Sequence, residues 1–226
     1  MRKETPILLC TDMALAMLDD RKSQTRRLNG FDEVNRNPDA WQLVEMRQVE
    51  GAMYAMMFNR AAGRDLAVKC PYGAPGDLLW FKEMHRFLYR DAAGLHVEYA
   101  VDEESLSWGT EYEPKEYNPW RNGKKIWRPS IFLPKDCARL WGRNKAIGAE
   151  RVQEISEEDA KAEGVEWSRQ FGLFRSYHSQ DRGGFVFESA VRSYISLWDS
   201  LNGKKAPWDS NPWVWAIAFK RVERKE

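Results

Sequence analysis

The chain is short of cysteine, of net charge and of long apolar runs, and each shortage removes a class of explanation. Cysteine occurs three times in 226 residues, at Cys10, Cys70 and Cys137. The number is odd, the spacings are wide and there is no C-x-x-C, so neither a disulfide framework nor a zinc site is indicated. Buried free thiols in a reducing cytoplasm are the expectation. Lys and Arg number 35 against 34 Asp and Glu, a net charge of +1. That balance argues against a general polyanion binder but leaves room for a local basic patch. No apolar run approaches the roughly 18 residues of a membrane span. The amino-terminal MRKETPILLCTDM is too poor in apolar residues for a signal peptide. His85, His96 and His178 are scattered, and no pair has metal-ligand spacing, so no metal and no cofactor is expected. Internal repeats and low-complexity segments are also missing.

What the chain does carry is aromatic surface: 11 Trp, 10 Phe and 8 Tyr. Such rings fill a core, and they also stack on bases. With 43% hydrophobic residues and a mean hydropathy of -0.67, the chain reads as globular.

Periodicity predicts a mixed, α+β chain. Within TDMALAMLDD a helix is expected near residues 12–20, capped by Thr11 or Asp12, with Met13, Met17 and Leu18 on one face. WQLVEMRQVEGAMYAMMF suggests a hairpin broken at Gly51. After CPYGAPG the stretch Asp77 to Glu83 reads as a strand. LHVEYAV is a further strand candidate, and an acidic loop rich in Trp, Tyr and Pro follows it. WRPSIFLP, residues 127–134, reads as extended. Ser156 is placed as an N-cap, with Asp159 at the capping-box position and Gly164 as the stop. FVFESAVRSYISLWDSLNG has a helical stripe of Phe187, Val191, Tyr194, Trp198 and Leu201, and Gly203 follows. NPWVWAIAFKRV alternates bulky and small apolar residues, which suits a strand of a closed or nearly closed barrel.

The densest chemistry lies at residues 21–28, RKSQTRRL. Arg21, Lys22, Arg26 and Arg27 place four cations in seven residues. If residues 23–28 are extended, Ser23, Thr25 and Arg27 share one side. On spacing alone this is a solvated basic helix end, since cations suit the negative pole of a helix. Elsewhere, Trp80 and Lys82 share a face of one strand, while Glu83 points the other way. Trp80 is either core or a base-stacking platform. Arg128, beside Trp127, is either a strand-end residue or a group for a phosphate or a base plane.

Taken in order, RKSQTRR, PGDLLWFKE, WRPSIFLP, ISEEDAKAEG, LWDSLNGK and NPWVWAIAFKRV resemble the ASCH family of the PUA-like superfamily. The closest likeness is to the bacteriophage and prophage branch often labelled morphogenetic proteins. The likeness runs from about residue 6 to 222. It implies one domain over residues 1–226, a small β-barrel with flanking helices, enlarged by insertions near 31–69 and 88–125. It implies a cleft for RNA, DNA or a modified nucleoside, with no membrane partner. A more distant, compact branch of the family removes the acetyl group from N4-acetylcytidine. Its K-x-x-T falls on Lys22 and Thr25, and its helix glutamate falls on Glu163. The resemblance therefore implies Thr25 as nucleophile, Lys22 with a lowered pKa as base and a protonated Glu163 as acid. Arg21, Arg26, Arg27, Trp80, Lys82 and Arg128 are the implied substrate or nucleic-acid contacts. A reader without turnover uses the same cleft, whereas an assembly or host-interaction factor would work through the acidic aromatic loop 103–120.

Overall fold

A computed structural model describes residues 3–114, 120–121, 124–178 and 184–223. In chain order the elements are β1 (Glu4–Leu8), α1 (Thr11–Leu18), β2 (Gln24–Arg27), β3 (Trp41–Val49), β4 (Ala52–Asn59), β5 (Arg64–Lys69), β6 (Leu78–Lys82), β7 (His85–Asp91), β8 (Gly94–Tyr99), β9 (Ser105–Trp108), β10 (Trp120–Arg121), β11 (Lys124–Lys125), β12 (Leu140–Arg151), α2 (Glu157–Ala162), β13 (Trp167–Ser168), β14 (Leu173–Arg175), β15 (Phe185–Phe187), α3 (Ala190–Asn202) and β16 (Trp213–Val222). The fold class is α+β, dominated by strands.

The central sheet has the order β1-β6-β12-β16-β2, with β1 parallel to β6 and the other pairs antiparallel. Its long axis is the β12–β16 pair, where Trp213 faces Arg151 at one end and Val222 faces Trp141 at the other. Trp213, Trp215, Ile217 and Phe219 all lie in the core, as the alternation requires. β1 and β2 are the edge strands, so no closed barrel is found among the described residues. The two edges nevertheless come close: Arg27 Nη2 of β2 donates to the Leu8 carbonyl of β1 at 2.8 Å.

The insertions become small sheets, one packed on the main core and one on a second core. Residues 41–69 form the meander β3-β4-β5, whose turn puts Glu50 and Gly51 at positive φ. Met53, Ala55, Met57 and Val68 from this meander join the main core. Residues 85–108 form the meander β7-β8-β9. Phe87, Leu95, Val97 and Tyr99 make a second core with Trp80 and Trp141. Leu79 and Phe81 belong to the main core, so successive residues of β6 serve opposite faces. Residues 115–119 and 122–123 of the acidic aromatic loop lie outside the described residues.

Three sequence expectations shift. α1 has Cys10 as its N-cap, and neither Thr11 nor Asp12 closes it with a side chain. Residues 130–132 turn as a 3-10 helix, with Phe132 N bonding Pro129 O, instead of continuing an extended run. The last helix begins only at Ala190, because residues 185–187 pair with β14. Among the described residues no helix is long and apolar enough to cross a membrane, and no group of His, Cys, Asp and Glu could hold a metal ion.

The second core contains a titration switch for stability. His85 is fully buried, its Nδ1 lies 3.1 Å from the Glu83 carbonyl and its ring meets Phe87 at 5.0 Å. Burial holds the imidazole down at a pKa of about 4. The unfolded chain takes this proton near pH 6.5 and the folded chain only near pH 4, so stability should fall as pH drops between them. The full loss is about 3 kcal/mol. His85→Asn keeps an N–H for the Glu83 carbonyl and cannot titrate. Denaturant unfolding at pH 7.5 and pH 4.5 should show a smaller acid loss in the variant, whatever the other carboxylates contribute to both.

Candidate functional site

The site begins with the carboxyl end of α2. Helix ends leave carbonyls without partners, and the negative pole attracts donors and cations. Here three consecutive carbonyls meet three consecutive residues of the basic segment. Ser23 N donates to Ala162 O at 2.8 Å, Lys22 Nζ to Glu163 O at 2.7 Å and Arg21 Nη1 to Gly164 O at 2.6 Å. The side chains of Arg21 and Lys22 thus meet the pole of α2, far along the chain, while their main-chain amides close the preceding α1 on Ala16 O. Gly164 permits the close approach. Its φ is +96°, and a Cβ there would stand 2.8 Å from Ala16 Cβ and 3.0 Å from Lys22 Cβ.

At the other end of α2, Ser156 accepts from Asp159 N, as the sequence predicts. The Asp159 carboxylate does not complete a capping box. It turns to the site, with Oδ1 accepting from Gln24 at 2.8 Å and Oδ2 from Arg26 at 3.2 Å. Glu157 secures α3, taking the Ala190 and Val191 amides and the Ser189 hydroxyl.

Glu163 is 3% exposed and Lys22 is 4% exposed. Lys22 Nζ donates to Glu163 Oε2 at 2.9 Å, and Arg26 Nη1 donates to Glu163 Oε1 at 3.2 Å. Burial opposes the charge on Glu163, but Lys22, Arg26 and Arg27 together outweigh it and hold the carboxyl below the usual range. Burial also dominates at Lys22 and lowers its pKa against the pull of Glu163. The lowered lysine agrees with the expectation of a base. The acid role for Glu163 does not survive: the expected apolar wall would have kept it protonated, whereas two cations keep it ionised.

Arg26 is likewise corrected. It is 5% exposed, and all three guanidinium nitrogens face acceptors. Nε meets Glu150 at 2.7 Å, Nη1 meets Gln24 and Glu163, and Nη2 meets Asp159. Four of its five N–H groups are engaged within the protein, so Arg26 is an internal strut. Arg21 is spent on Gly164 O and on Asp19.

A cavity of about 630 Å³ opens at the seam between β1 and β2. Pro6 to Leu9 line one side and Thr25 to Asn29 the other, while Cys10, Thr11 and Met13 supply the α1 end. Lys22, Thr25, Arg26, Arg27 and Glu163 all reach this cavity. Thr25 is 3% exposed, and among the described residues no hydrogen bond engages its hydroxyl. Arg27 differs from the other cations of the segment. Its Nε is buried without a partner, and no carboxylate pairs with it among the described residues.

Trp80, Lys82 and Arg128 do not line the cavity. Trp80 is buried in the second core, Lys82 lies over its ring and donates to the Ile131 carbonyl, and the Arg128 guanidinium lies over Phe87. The structure thus places all three around the second core, away from the cavity. Sequence reasoning missed the wall opposite: Tyr72, Tyr194, Trp198, Asn202 and Lys205. Burial keeps the Tyr194 phenol far above its ordinary pKa, hence neutral. Cys10, expected to be buried, is only half-buried and borders the cavity, whereas Cys70 and Cys137 are fully enclosed.

Comparison with known proteins found no matching family model, no matching curated protein and no matching solved structure.

The ion-pair arrangement predicts an order of stabilities. Glu163→Leu strips the counter-ion from two buried cations and should cost about 3–5 kcal/mol. Lys22→Met leaves Glu163 paired with Arg26 and should cost less. Chemical denaturation at neutral pH gives both values, and the reverse order would contradict the arrangement. Gly164→Ala should cost about 2–4 kcal/mol, because the strained φ and the contact with Lys22 act together.

Proposed function

We propose that the seam cavity takes a modified nucleobase or nucleoside and hydrolyses an N4-acyl amide on cytidine, with Thr25 as nucleophile and Lys22 as base. In this reading the curled central sheet is the ASCH barrel, open at the β1–β2 seam. One observation carries the chemistry: Lys22 Nζ gives its hydrogen bonds to Glu163 O and Oε2, and Thr25, whose hydroxyl no hydrogen bond engages among the described residues, lines the same cavity. Once Lys22 has given up its proton, the amine has two N–H bonds and one lone pair, and with both N–H bonds held by Glu163 the lone pair is what remains for the cavity.

Each step then balances. The lone pair of Lys22 takes the Thr25 hydroxyl proton as Oγ bonds to the acyl carbon. The carbonyl electron pair moves to oxygen, and Arg27, the cation without a carboxylate partner, is the group to meet that charge. Collapse breaks the C–N bond, and the leaving nitrogen takes the proton from Lys22. Water repeats the sequence on the Thr25 ester, releasing the acid and restoring the hydroxyl. Tyr72, Tyr194 and Trp198 provide ring surface for a base, and the volume falls within the roughly 300–1,000 Å³ common for small-ligand sites.

The ion pairs favour a nucleoside over a polynucleotide. Arg21 and Arg26 are spent internally, so few cations are left to release counterions from phosphates. Binding of N4-acetylcytidine should change little between about 50 and 200 mM salt, and any binding of single-stranded RNA or DNA should show a slope near one phosphate contact.

Incubation with N4-acetylcytidine should release cytidine and acetate, read by chromatography. Thr25→Val keeps the shape without the hydroxyl and should remove nearly all turnover, while Thr25→Ser should retain part of it. Lys22→Met should be as damaging as Thr25→Val, and the double variant little worse, because groups that act as a unit are not additive. Binding without release by the wild-type protein would replace this reading with that of a non-catalytic reader. Neither binding nor release would end the nucleoside reading.

A further inference from the structure

We propose that Arg26 is a positioning residue of the site: its guanidinium, fixed by Glu150, Asp159 and Gln24, pins Glu163 Oε1, so that Oε2 and the carbonyl of the same residue orient Lys22, and Lys22 alone takes and returns the proton. The assignment of chemistry to Lys22 and Thr25 rests on the function proposed above. The geometry of Arg26 does not.

Arg26 occupies β2 between Thr25 and Arg27, on the strand face opposite to both. Its register partner is Ala216 and that of Gln24 is Ala218. These small residues leave room for two long polar side chains beneath α2. Glu150 comes from β12, Asp159 from α2 and Gln24 from β2 itself, so three elements hold one planar group. A planar fork held at Nε and both Nη atoms has little freedom to rotate. Towards the cavity it meets Glu163 Oε1 and lies over the Tyr194 ring at 6.0 Å.

That contact decides two things. First, a Glu163 carboxylate held by two cations keeps its charge and has no proton to give. Second, with Oε1 occupied, Oε2 and the main-chain oxygen are what remain for Lys22, and both are taken at 2.7–2.9 Å. The amine cannot turn without losing a bond. Charges that also reach Lys22 come from Arg27 on β2 and, were it ionised, from Cys10 ahead of α1. Those that reach Glu163 include Arg27 and, were it ionised, Tyr194 on α3. Neither the thiol nor the phenol is ionised near neutral pH, since burial raises both. Arg26 is therefore the charge whose removal changes the field at Glu163 while Lys22, Thr25 and Arg27 keep their side chains.

The test uses the full chain and reads the two groups directly. Nuclear magnetic resonance titration of the Lys22 15Nζ and the Glu163 carboxyl 13C is recorded for wild type and Arg26→Gln. Without Arg26 the Glu163 midpoint should rise by about one pH unit, and the Lys22 midpoint should rise with it, because the glutamate charge is no longer shared. The acid limb of kcat/KM for N4-acetylcytidine should move up with the Lys22 midpoint, while Arg26→Lys should bring both titrations part of the way back. If Arg26→Gln fails to fold, Arg26→Lys carries the test, with both midpoints expected to lie measurably above wild type. Titrations of a folded variant that coincide with wild type overturn the proposal. Shifted titrations in a protein that releases no cytidine would keep the positioning of Lys22 and Glu163 by Arg26 and reject the hydrolytic reading.

Discussion

The docking of the α2 carboxyl end onto residues 21–23 is the interaction on which the site depends. It joins the first fifth of the chain to a helix some 140 residues later, and it does so through main-chain carbonyls that any helix must leave unpaired. A lysine that finishes a helix in this way is buried by the same act, and burial lowers its pKa. The helix closure and the lowered pKa therefore have one cause. Had Lys22 faced solvent as a plain helix-end cation, its amine would have had no such lowering.

The second constraint is how a buried charge is neutralised. Lys22, Arg26 and Glu163 are each 5% exposed or less. Isolated ions at such depth are costly, so every one must be matched. The match is not pairwise. Glu163 gives one oxygen to each cation, and Arg26 draws further balance from Glu150 and Asp159 nearer the surface. The consequence is a division of labour within one segment. Arg26 serves the interior, while Arg27 on the opposite face serves the cavity with its Nε unmatched. Neighbours in sequence with the same formal charge thus have opposite roles, because a strand sends them to opposite sides.

Local signals were legible where the physics is local. The Ser156 cap, the stop at Gly164, the turn at Gly51 and the alternation in the last strand each follow from a few adjacent residues. Arg26 was not legible in this way. Its carboxylate partners stand 124 to 137 residues away, and no spacing rule reaches them. Glu163 was placed near Lys22 by the family resemblance, not by its own surroundings, and an EEDAKAE helix reads equally well as a solvated one. The cavity wall on α3 was hidden for a different reason. Tyr194, Trp198 and Leu201 recur with the spacing of a core stripe, and periodicity cannot separate a stripe that packs on protein from one that faces a void. Asn202 and Lys205 lie just beyond that stripe, where polar residues ordinarily mark a helix end.

The seam between β1 and β2 also bears on the protein's behaviour in concentrated solution. Edge strands with free amides and carbonyls recruit strands from other molecules, the usual start of sheet-to-sheet aggregation. Here Pro6 removes a donor from the middle of β1, and the carbonyl of Leu8 is already taken by Arg27. The two edges face each other across a cavity instead of outward. A sheet that stops short of closing is thereby shielded from self-association by one proline and one arginine, with no strand committed to sealing it.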